Sequence, residues 1–471
     1  MPKEKVILFP LSSSAVFRNL FFFPSSVFER LKEKLNVQDG VRVVFLLSPE
    51  HKEKYPEFVK ECQASEIFKI EYIPIPAKKT FLEKIFYFFY SYLIYTGTTW
   101  IMATIGTRPD EPPAGGKWYL APLKRIIAGT LGKIDFVKSK IVPSLHLRIF
   151  NERPFREIFD KYQPSLVLIP HLYGWYDTLV LSEARRRGIK SIGMASGWDH
   201  LDKYFLPFKV DMLMAQSNQI KRVAMEFQNY RPENISLVGY PHFDFIEDRK
   251  YEMSREAILE SLNFPKDSKF ILYVSNSTYC PDEPEVIDEI LKWADEKRFG
   301  DDVYLVIRPY SGGRGQDKEF DRKKFEKFES HPRVRFYKRE FWGDLEKSIY
   351  FVNIMRHADV VIAVYTTMAL EAAVLDRPLV ATAFDGHSVR SLRRSIRRFE
   401  AFEHFKDVLK IGAMKSTRSF DELFEALDSY LKNPNLDGDK RELMRRELCY
   451  KLDGRSSERI VQHILNEANI S

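Results

Sequence analysis

Short apolar runs alternate with amphipathic stretches along almost the whole chain, and this alternation limits the possible fold more than any other feature. Amphipathic stretches with helical periodicity, such as 27–35 and 178–187, separate the runs. Strands that alternate with helices form parallel sheets, because each return connection is helix-sized. We therefore predict an α/β fold. The first-half runs are residues 5–11, 41–47, 67–75, 165–171, 190–196, 211–217 and 234–241.

The same alternation begins again in the second half of the chain. A chain of 471 residues is too long for one core, since single domains usually stop near about 250–300 residues. We predict two α/β domains, residues 1–245 and 246–455, and a C-terminal helix at 456–471 that Ser456 or Ser457 caps. The second-half runs are residues 269–277, 303–310, 334–339, 359–365 and 379–384.

Cysteine content and net charge narrow the cellular setting and the partners. Cys62, Cys280 and Cys449 are far apart and odd in number, which argues against a disulfide framework or a zinc site. We expect an intracellular protein without a signal peptide. The net charge of +7 suits an anionic partner. Because this surplus is small for the length, we predict phosphate-bearing substrates or an anionic membrane surface and no nucleic acid.

One segment, residues 85–107, contains no charged side chain and is long enough to cross a bilayer, which needs roughly 20 residues. Three interpretations are open: a helix lying in the membrane interface, a buried core helix and a true span. A span would place strands of one sheet on opposite sides of the membrane. The aromatic content and the nearby basic stretch 123–140 favour the interfacial helix.

The stretch "ADVVIAVYTTMALEAAVLDRPLV", residues 358–380, runs from an apolar strand into a short helix. Thr366 and Thr367 lie where the strand ends, and ligands of parallel sheets bind at that edge. Helix N-termini hold diphosphates well, although one threonine can simply cap the helix. Glu371 lies on the same helical face as Thr367, where a carboxylate can accept hydrogen bonds from a ribose. The alternative for Glu371 is a solvated residue that favours the helix dipole.

Three further polar residues follow neighbouring strands of the second domain: Ser277, Arg308 and Arg314. We predict that they contribute to donor binding. Arg308 can neutralise charge on a leaving diphosphate, or it can form a structural salt bridge. The aromatic stretch 336–342 can stack on a base or belong to the core.

The residue 358–380 stretch resembles a motif of GT-B glycosyltransferases and of CDP-glycerol glycerophosphotransferases, in which a Y-S-S-like turn and a glutamate bind the nucleotide diphosphate. Residues 195–244, "ASGWDHLDK…VGYPHFD", and the tail 414–465 resemble surface-carbohydrate transferases. The resemblance implies two Rossmann-like domains facing across a cleft, with the last helix packing back towards the first domain. Tyr310 stands where glycerophosphotransferases carry a histidine, which favours a sugar donor.

The GT-B arrangement assigns the acceptor side to the first domain. His171 and Asp177 lie in "PHLYGWYD", and Asp199 and His200 lie in "GWDH", each after a predicted strand. An inverting transfer needs one base within hydrogen-bond reach of the acceptor hydroxyl, so these four are our catalytic candidates. Each can instead be an ordinary hydrogen-bonded polar residue. We interpret "DGD", 437–439, as a turn, and we predict no metal and no cofactor.

Five arginines have helical spacing if residues 389–399 form a helix. A solvated basic face is the simpler interpretation, and contact with anionic lipid head groups is the alternative. The five are Arg390, Arg393, Arg394, Arg397 and Arg398.

The sequence thus predicts a GT-B glycosyltransferase that moves a sugar from a nucleotide diphosphate-sugar to a saccharide or lipid-linked acceptor in surface polysaccharide assembly. We expect it in the cytoplasm, peripheral on the inner face of the cell membrane. Two alternatives share the fold: a CDP-glycerol-type glycerophosphotransferase and a nucleotide-sugar 2-epimerase. A third is a non-catalytic scaffold that binds nucleotides or glycans.

Overall fold

The computed structural model describes residues 4–74, 78–106, 118–276, 279–310, 323–337 and 344–470. The chain divides into two compact units. The first unit comprises Met1–Thr99, Leu120–Phe245 and Tyr450–Ser471, and the second comprises Trp100–Tyr119 and Ile246–Cys449. Each unit contains one parallel sheet with helices between its strands, which confirms the predicted α/β fold.

The sheet of the first unit has seven described strands in the order β3-β2-β1-β4-β5-β6-β7, all parallel. The order reverses after β3, so that β1 and β4 become neighbours and their carboxyl ends lie side by side. Ligands of parallel sheets bind at such a switch point. The strands are β1 Lys5–Leu11, β2 Val41–Leu47, β3 Phe68–Tyr72, β4 Leu166–Ile169, β5 Lys190–Gly193, β6 Met212–Ala215 and β7 Ile235–Leu237.

Helices connect the strands of the first unit. Two short helices, Gly97–Trp100 and Pro241–Glu247, cross the boundaries between the units along the chain. The others are Ser14–Phe21, Val27–Lys34, Pro49–Lys54, Pro56–Ala64, Phe81–Ser91, Ala121–Gly129, Val142–Ile149, Arg156–Tyr162, Trp175–Arg187, Asn218–Gln228 and Ser456–Glu467.

Phenylalanines dominate the core of the first unit, and the last helix completes it. Neighbouring rings lie 5.1–5.8 Å apart, in the range where edge-to-face contacts add to apolar burial. Ile460, Val461 and Ile464 of the helix Ser456–Glu467 belong to the same buried cluster. The predicted return of the last helix to the first domain is therefore confirmed. The rings are Phe9, Phe21, Phe28, Phe45 and Phe58.

The cap of this last helix differs from the prediction. The backbone N–H groups of Ser456 and Ser457 donate to the buried Asp244 carboxylate, at 3.0 and 2.8 Å. Neither serine side chain caps the helix, because the helix begins at Ser456 itself and a carboxylate distant in sequence satisfies its first N–H groups.

The sheet of the second unit has six described strands in the order β10-β9-β8-β11-β12-β13. Five of these strands were predicted. The sixth, β13, lies in the tail 414–465, for which only a resemblance to surface-carbohydrate transferases was stated. The strands are β8 Lys269–Val274, β9 Val303–Arg308, β10 Val334–Phe336, β11 Val360–Ala363, β12 Leu379–Thr382 and β13 Met414–Thr417. The α-helices of this unit that lie wholly within the described residues are Arg255–Ser261, Glu283–Asp295, Leu345–His357, Met368–Val374, Glu403–Ile411, Phe420–Lys432 and Gly438–Met444.

The uncharged segment 85–107 does not form one helix. Its first part belongs to the helix Phe81–Ser91, and the chain then turns before Gly97–Trp100. Exposed apolar side chains are confined to the first part, whereas Tyr92, Leu93 and Ile94 are buried. Among the described residues, no helix is long and apolar enough to cross a membrane.

The predicted helical face of five arginines does not form either. Residues 389–395 lack helical structure, and a 3₁₀ helix covers only Ile396–Ala401. Arg398 is buried and donates to the backbone oxygens of Arg394 and Ser395. Arg390 pairs with Asp282, so the spacing did not produce a single basic face.

Candidate functional site

Three adjacent strands of the second unit end at the same level. Val274 of β8 is in register with Arg308 of β9 on one side and Ala363 of β11 on the other. Beyond the strand ends, the Asn276 amide donates to the Val364 carbonyl at 2.8 Å, which ties two of the following loops together. We call this edge the donor edge, because donor binding was predicted here and parallel sheets bind ligands at this end of their strands.

Arg308 is a buried cation at the donor edge, with 6% of its surface exposed. Its Nε is buried without a hydrogen-bond partner, and its guanidinium lies 4.9 Å from the Phe351 ring centroid. Burial lowers the pKa of Arg308, and the nearby Glu371 carboxylate opposes that effect. A buried cation with an unpartnered Nε–H group is costly, so this guanidinium is well suited to an anionic ligand.

The two threonines at the end of β11 have different surroundings. Thr366 Oγ1 accepts a hydrogen bond from the Met368 N–H at 3.0 Å, so this hydroxyl does cap the helix. Thr367 makes no capping hydrogen bond and is exposed. The structure therefore assigns Thr366 a capping hydrogen bond, and it leaves the Thr367 hydroxyl at the surface of the donor edge.

Tyr365 is a feature of the donor edge that the sequence analysis missed. It has a φ of 42°, which is uncommon for a bulky residue, and it directly precedes the threonine pair. Its hydroxyl donates to Glu400 at 2.8 Å, and its ring is buried. No local sequence signal predicts this conformation, because Glu400 reaches the tyrosine from another part of the fold.

A buried ion pair also supports the donor edge and was not predicted. Lys324 contacts Glu283 at 2.5 Å, and both side chains are almost fully buried. Glu283 also accepts from the Ser275 hydroxyl at 2.8 Å and from the Asn276 N–H at 3.2 Å. The carboxylate thus holds the loop after β8. Ser277, Arg314 and residues 338–342 lie outside the described residues.

The four catalytic candidates of the first unit lie at the carboxyl edge of its sheet. The rings of His171 and His200 have centroids 5.1 Å apart. Asp199 lies 3.7 Å from His200 Nε2 and pairs with Lys203. Ser196 Oγ lies 3.0 Å from His200 Nδ1. The two histidines therefore form one half-buried pair.

Asp177 and His171 have opposite pKa shifts with the same cause. Burial raises the pKa of the fully buried Asp177 to about 7, and a hydrogen bond from the Ser12 hydroxyl only partly opposes it. Burial, with a smaller contribution from the charge of Lys203, lowers the pKa of His171 to about 4. His171 is therefore neutral near pH 7, as a general base must be. Asp177 lies in the interior, where it can orient its neighbours more readily than contact a substrate.

Metal binding has little support within the described part of the chain. No group of three or more His, Cys, Asp or Glu residues there is arranged to hold a metal ion. Asp437 of the D-G-D sequence precedes the helix Gly438–Met444, accepts from Tyr430 at 2.8 Å and pairs with Lys440 at 2.5 Å. The turn predicted at 437–439 ends at Asp437, because Gly438 and Asp439 already belong to this helix. Metal independence stays a prediction.

Comparison with known proteins defines the class of this fold. Solved structures align over nearly the whole chain. MnaA of S. aureus, in a structure with UDP, is 14% identical, with 99% of this chain and 98% of MnaA covered and a TM-score of 0.53. The UDP-GlcNAc 2-epimerase from Methanocaldococcus jannaschii is 12% identical, with 98% and 99% covered and a TM-score of 0.51. The putative UDP-N-acetylglucosamine 2-epimerase from Listeria monocytogenes is 14% identical, with 98% and 96% covered and a TM-score of 0.52. The predicted GT-B fold is thereby confirmed.

A family profile matches part of the chain more specifically. Residues 324–466 match the family described as CDP-Glycerol:Poly(glycerophosphate) glycerophosphotransferase. No curated protein sequence gives a significant match. The predicted relationship to CDP-glycerol glycerophosphotransferases is confirmed for this part of the chain, and the match supports the prediction of an enzyme.

Proposed function

We propose that this protein is a GT-B glycosyltransferase that uses a nucleoside diphosphate-sugar donor. The observation that carries the proposal is the buried Arg308 guanidinium, whose Nε has no hydrogen-bond partner and whose nearby carboxylate is that of Glu371. A donor diphosphate would supply a hydrogen-bond acceptor for this Nε–H group. Thr367, exposed at the same edge, is available to the same ligand. We assign Ser277 and Arg314 to donor binding as well, on their sequence positions.

We propose that the histidine pair of the first unit acts on the acceptor. His171 or His200 would take the proton from the acceptor hydroxyl as the sugar is transferred. Asp199 and Lys203 form a charged pair beside His200 that can orient its ring. Asp177 would act from the interior, by holding the segment that carries His171.

A glycerophosphotransferase is the second candidate, and the family match favours it. That match begins at residue 324, beyond Tyr310, which follows β9 and stands where a histidine is expected. The part of the chain that would distinguish the two transfers therefore lies outside the match. The epimerase alternative rests on the fold alone.

We further propose that the enzyme works peripherally at a membrane, where it takes part in surface polysaccharide assembly. The helix Phe81–Ser91 exposes apolar side chains, and the chain is basic overall. Both properties suit an anionic lipid surface.

Calorimetric titration with UDP, CDP, GDP and dTDP tests the donor assignment. At least one nucleotide should bind the wild-type protein, and Arg308→Met should weaken it about 10- to 100-fold, the equivalent of losing a charged hydrogen bond. Arg397→Met, at an exposed arginine of the same unit, is the matched control. Equal affinity in both variants would refute the site. Product analysis with labelled donors then separates sugar transfer, glycerol phosphate transfer and epimerisation.

A further inference from the structure

A small pocket lies at the carboxyl edge of the first sheet, beside the histidine pair. Its walls come from the segments that follow β4, β5, β6 and β7 and from the helix Ser14–Phe21. The pocket has a volume of about 280 Å³, part of it open to solvent, but its walls are so close that only about one water-sized group fits. It can therefore take one small substituent of a ligand and not a whole sugar ring. Its lining includes Val16, Leu20, Met194, Gln216, Tyr240 and His242.

Gln216 brings an unpartnered hydrogen-bond acceptor to this pocket. The residue is 3% exposed, and its Nε2 donates to the Ala195 carbonyl. The opposite orientation of the amide would bring two oxygens together, so this contact fixes which atom is the oxygen. Oε1 is buried and has no hydrogen-bond partner. Because a buried acceptor without a donor is costly, the pocket favours a ligand group that donates a hydrogen bond.

His242 brings a second unpartnered atom, since its Nδ1 is buried without a hydrogen-bond partner. Burial, with a smaller effect from the charge of Arg18, lowers the pKa of His242 to about 3, so the ring is neutral at physiological pH. In the Nδ1–H tautomer this nitrogen is a donor. An anion cannot donate to Gln216 and an ammonium group cannot accept from His242. A hydroxyl does both, so it is the small group that complements the two side chains.

Ser196 joins this pocket to the histidine pair. It lines the pocket, and its Oγ lies 3.0 Å from His200 Nδ1. Asn19 Nδ2 donates to the Ser196 carbonyl at 3.2 Å, and Arg18 Nε donates to Asn19 Oδ1 at 2.8 Å, so the helix Ser14–Phe21 holds this segment in place. A ligand group in the pocket is therefore separated from the His200 ring by one serine side chain.

We propose that Gln216 and His242 determine acceptor specificity by binding a hydroxyl group next to the one that reacts. This inference rests on the proposed function, in which the histidine pair takes the proton from the reacting hydroxyl. The acceptor is then a polyol or a sugar with a free hydroxyl beside the reacting one. An analogue without that hydroxyl leaves both buried atoms unpartnered, and sites built to bind a hydroxyl discriminate strongly against such analogues.

The methyl group of Met194 gives a local signal for this pocket, because Met194 lines it and is buried. Glycerol, the smallest polyol, is the probe, and propan-1-ol is its counterpart with the same carbon chain and one hydroxyl. NMR titration of methyl-labelled protein should shift the Met194 resonance, with glycerol binding about tenfold more tightly than propan-1-ol, the equivalent of one hydrogen bond. The Met225 methyl, on the exposed side of the helix Asn218–Gln228, is the internal control.

This comparison uses the wild-type protein alone and so does not depend on the folding of a variant. Equal affinity for the two alcohols would overturn the proposal. A Met194 signal that does not respond to glycerol would also overturn it, and it would mean that the pocket holds structural water only.

Variants then assign the response to the two side chains. Gln216→Leu removes the acceptor, so it should weaken glycerol about tenfold and leave propan-1-ol as in the wild type, a selectivity that a merely structural defect would not produce. His242→Phe should have the same effect. Gln462→Leu, at an exposed glutamine of the same unit, is the matched control. A Gln216→Leu protein that binds glycerol as the wild type does would contradict the assignment.

Nucleotide titration separates this site from the donor assignment. A protein that binds a nucleoside diphosphate, but whose Met194 signal ignores glycerol, refutes the hydroxyl site alone. Selective binding of glycerol without binding of any nucleotide supports the hydroxyl site and refutes the donor assignment.

Discussion

Glu371 at the donor edge gives the most selective test of nucleotide recognition. If its carboxylate binds a ribose, Glu371→Gln should weaken a nucleoside diphosphate by on the order of 1.5–3 kcal/mol, while inorganic diphosphate binds as before. Calorimetric titration with both ligands measures the difference. Glu425→Gln, an exposed glutamate of the same unit, should change neither. Equal weakening of both ligands would instead mean that Glu371 acts through the nearby Arg308 guanidinium.

The threonine pair separates a structural role from a binding role. Thr366 caps the Met368 N–H, so Thr366→Val should lower the free energy of unfolding by about 1 kcal/mol. Thr367 caps nothing and is exposed, so Thr367→Val should leave stability unchanged and weaken only the nucleotide. Thermal melting with and without nucleotide distinguishes these effects. A Thr367 variant with normal affinity would remove this hydroxyl from the site.

Asp177 should make the stability of the first unit depend on pH. Its pKa is about 7 when folded and near 3.8 when unfolded, so the folded state binds the extra proton. Its contribution to stability is complete below about pH 4, is lost as the pH rises to 7, and then stays lost. His171 has the opposite effect: because its folded pKa lies below the unfolded value of 6.5, its contribution to stability increases as the pH rises from about 4 to 6.5. The two effects therefore partly cancel in the wild-type protein.

Asp177→Asn removes the pH dependence of stability that Asp177 causes and leaves that of His171. Relative to the wild type, the variant should gain up to about 3–4 kcal/mol between pH 4 and pH 8. Urea unfolding at pH 4.5, 6 and 8 measures this gain as a difference between the proteins, so the His171 contribution cancels. A constant difference across the three pH values would show that Asp177 is ionised in the folded protein.

Among the elements, the last helix depends most on a single distant residue. Asp244→Ala would leave the buried N–H groups of Ser456 and Ser457 without an acceptor, at a cost of about 1–3 kcal/mol for each unsatisfied group. We expect a lower melting temperature of the first unit, with exposure of the helix to proteolysis. Asp439→Ala, on the surface of the second unit, should melt as the wild type does. Unchanged melting of Asp244→Ala would mean that water replaces the carboxylate.

The strands were largely predictable, because apolar runs bounded by polar residues are a local signal. The strand β13, "MKST", escaped because it is short and half polar. The arginine spacing misled because periodicity alone does not make a helix: Arg398 turns inward and Arg390 pairs with Asp282. The Arg390 ion pair, and the 3.3 Å hydrogen bond from Arg398 Nε to the Gly106 carbonyl, depend on residues distant in sequence.

The positions of the site residues were also predictable, but their states were not. A parallel sheet brings residues after its strands to one edge, so Arg308 and Thr367 could be placed there from the sequence. Whether a group is buried depends on packing from all sides, so the sequence could not distinguish the interior Asp177 from the half-buried His200. Ion pairs such as Glu283 with Lys324 join distant segments and leave no local pattern.

At the scale of the whole molecule, membrane association should depend on one surface of the first unit more than on net charge. This apolar-basic surface consists of the exposed apolar and basic residues of the helices Phe81–Ser91, Ala121–Gly129 and Val142–Ile149 and of the segment 130–141. The chain carries only +7, whereas this surface concentrates exposed basic residues beside exposed apolar ones. Each basic residue near an anionic membrane contributes about 1 kcal/mol, an attraction that salt screens, and apolar burial is unaffected by salt. The protein should therefore float with vesicles that contain phosphatidylglycerol at low salt, and less with neutral vesicles. High salt should release only part of it.

Introducing negative charge on the helix Phe81–Ser91 tests which surface is responsible for membrane association. Leu82→Glu combined with Phe89→Glu places two carboxylates where acyl chains would lie, and it should abolish flotation without unfolding, since both side chains are exposed. Val37→Glu, at an apolar residue of the same unit that is 59% exposed, should float as the wild type does. If the double variant still floats, the three exposed arginines Arg393, Arg394 and Arg397 of the second unit become the alternative contact. If the wild type floats under no condition, the surface faces another protein and the acceptor is soluble.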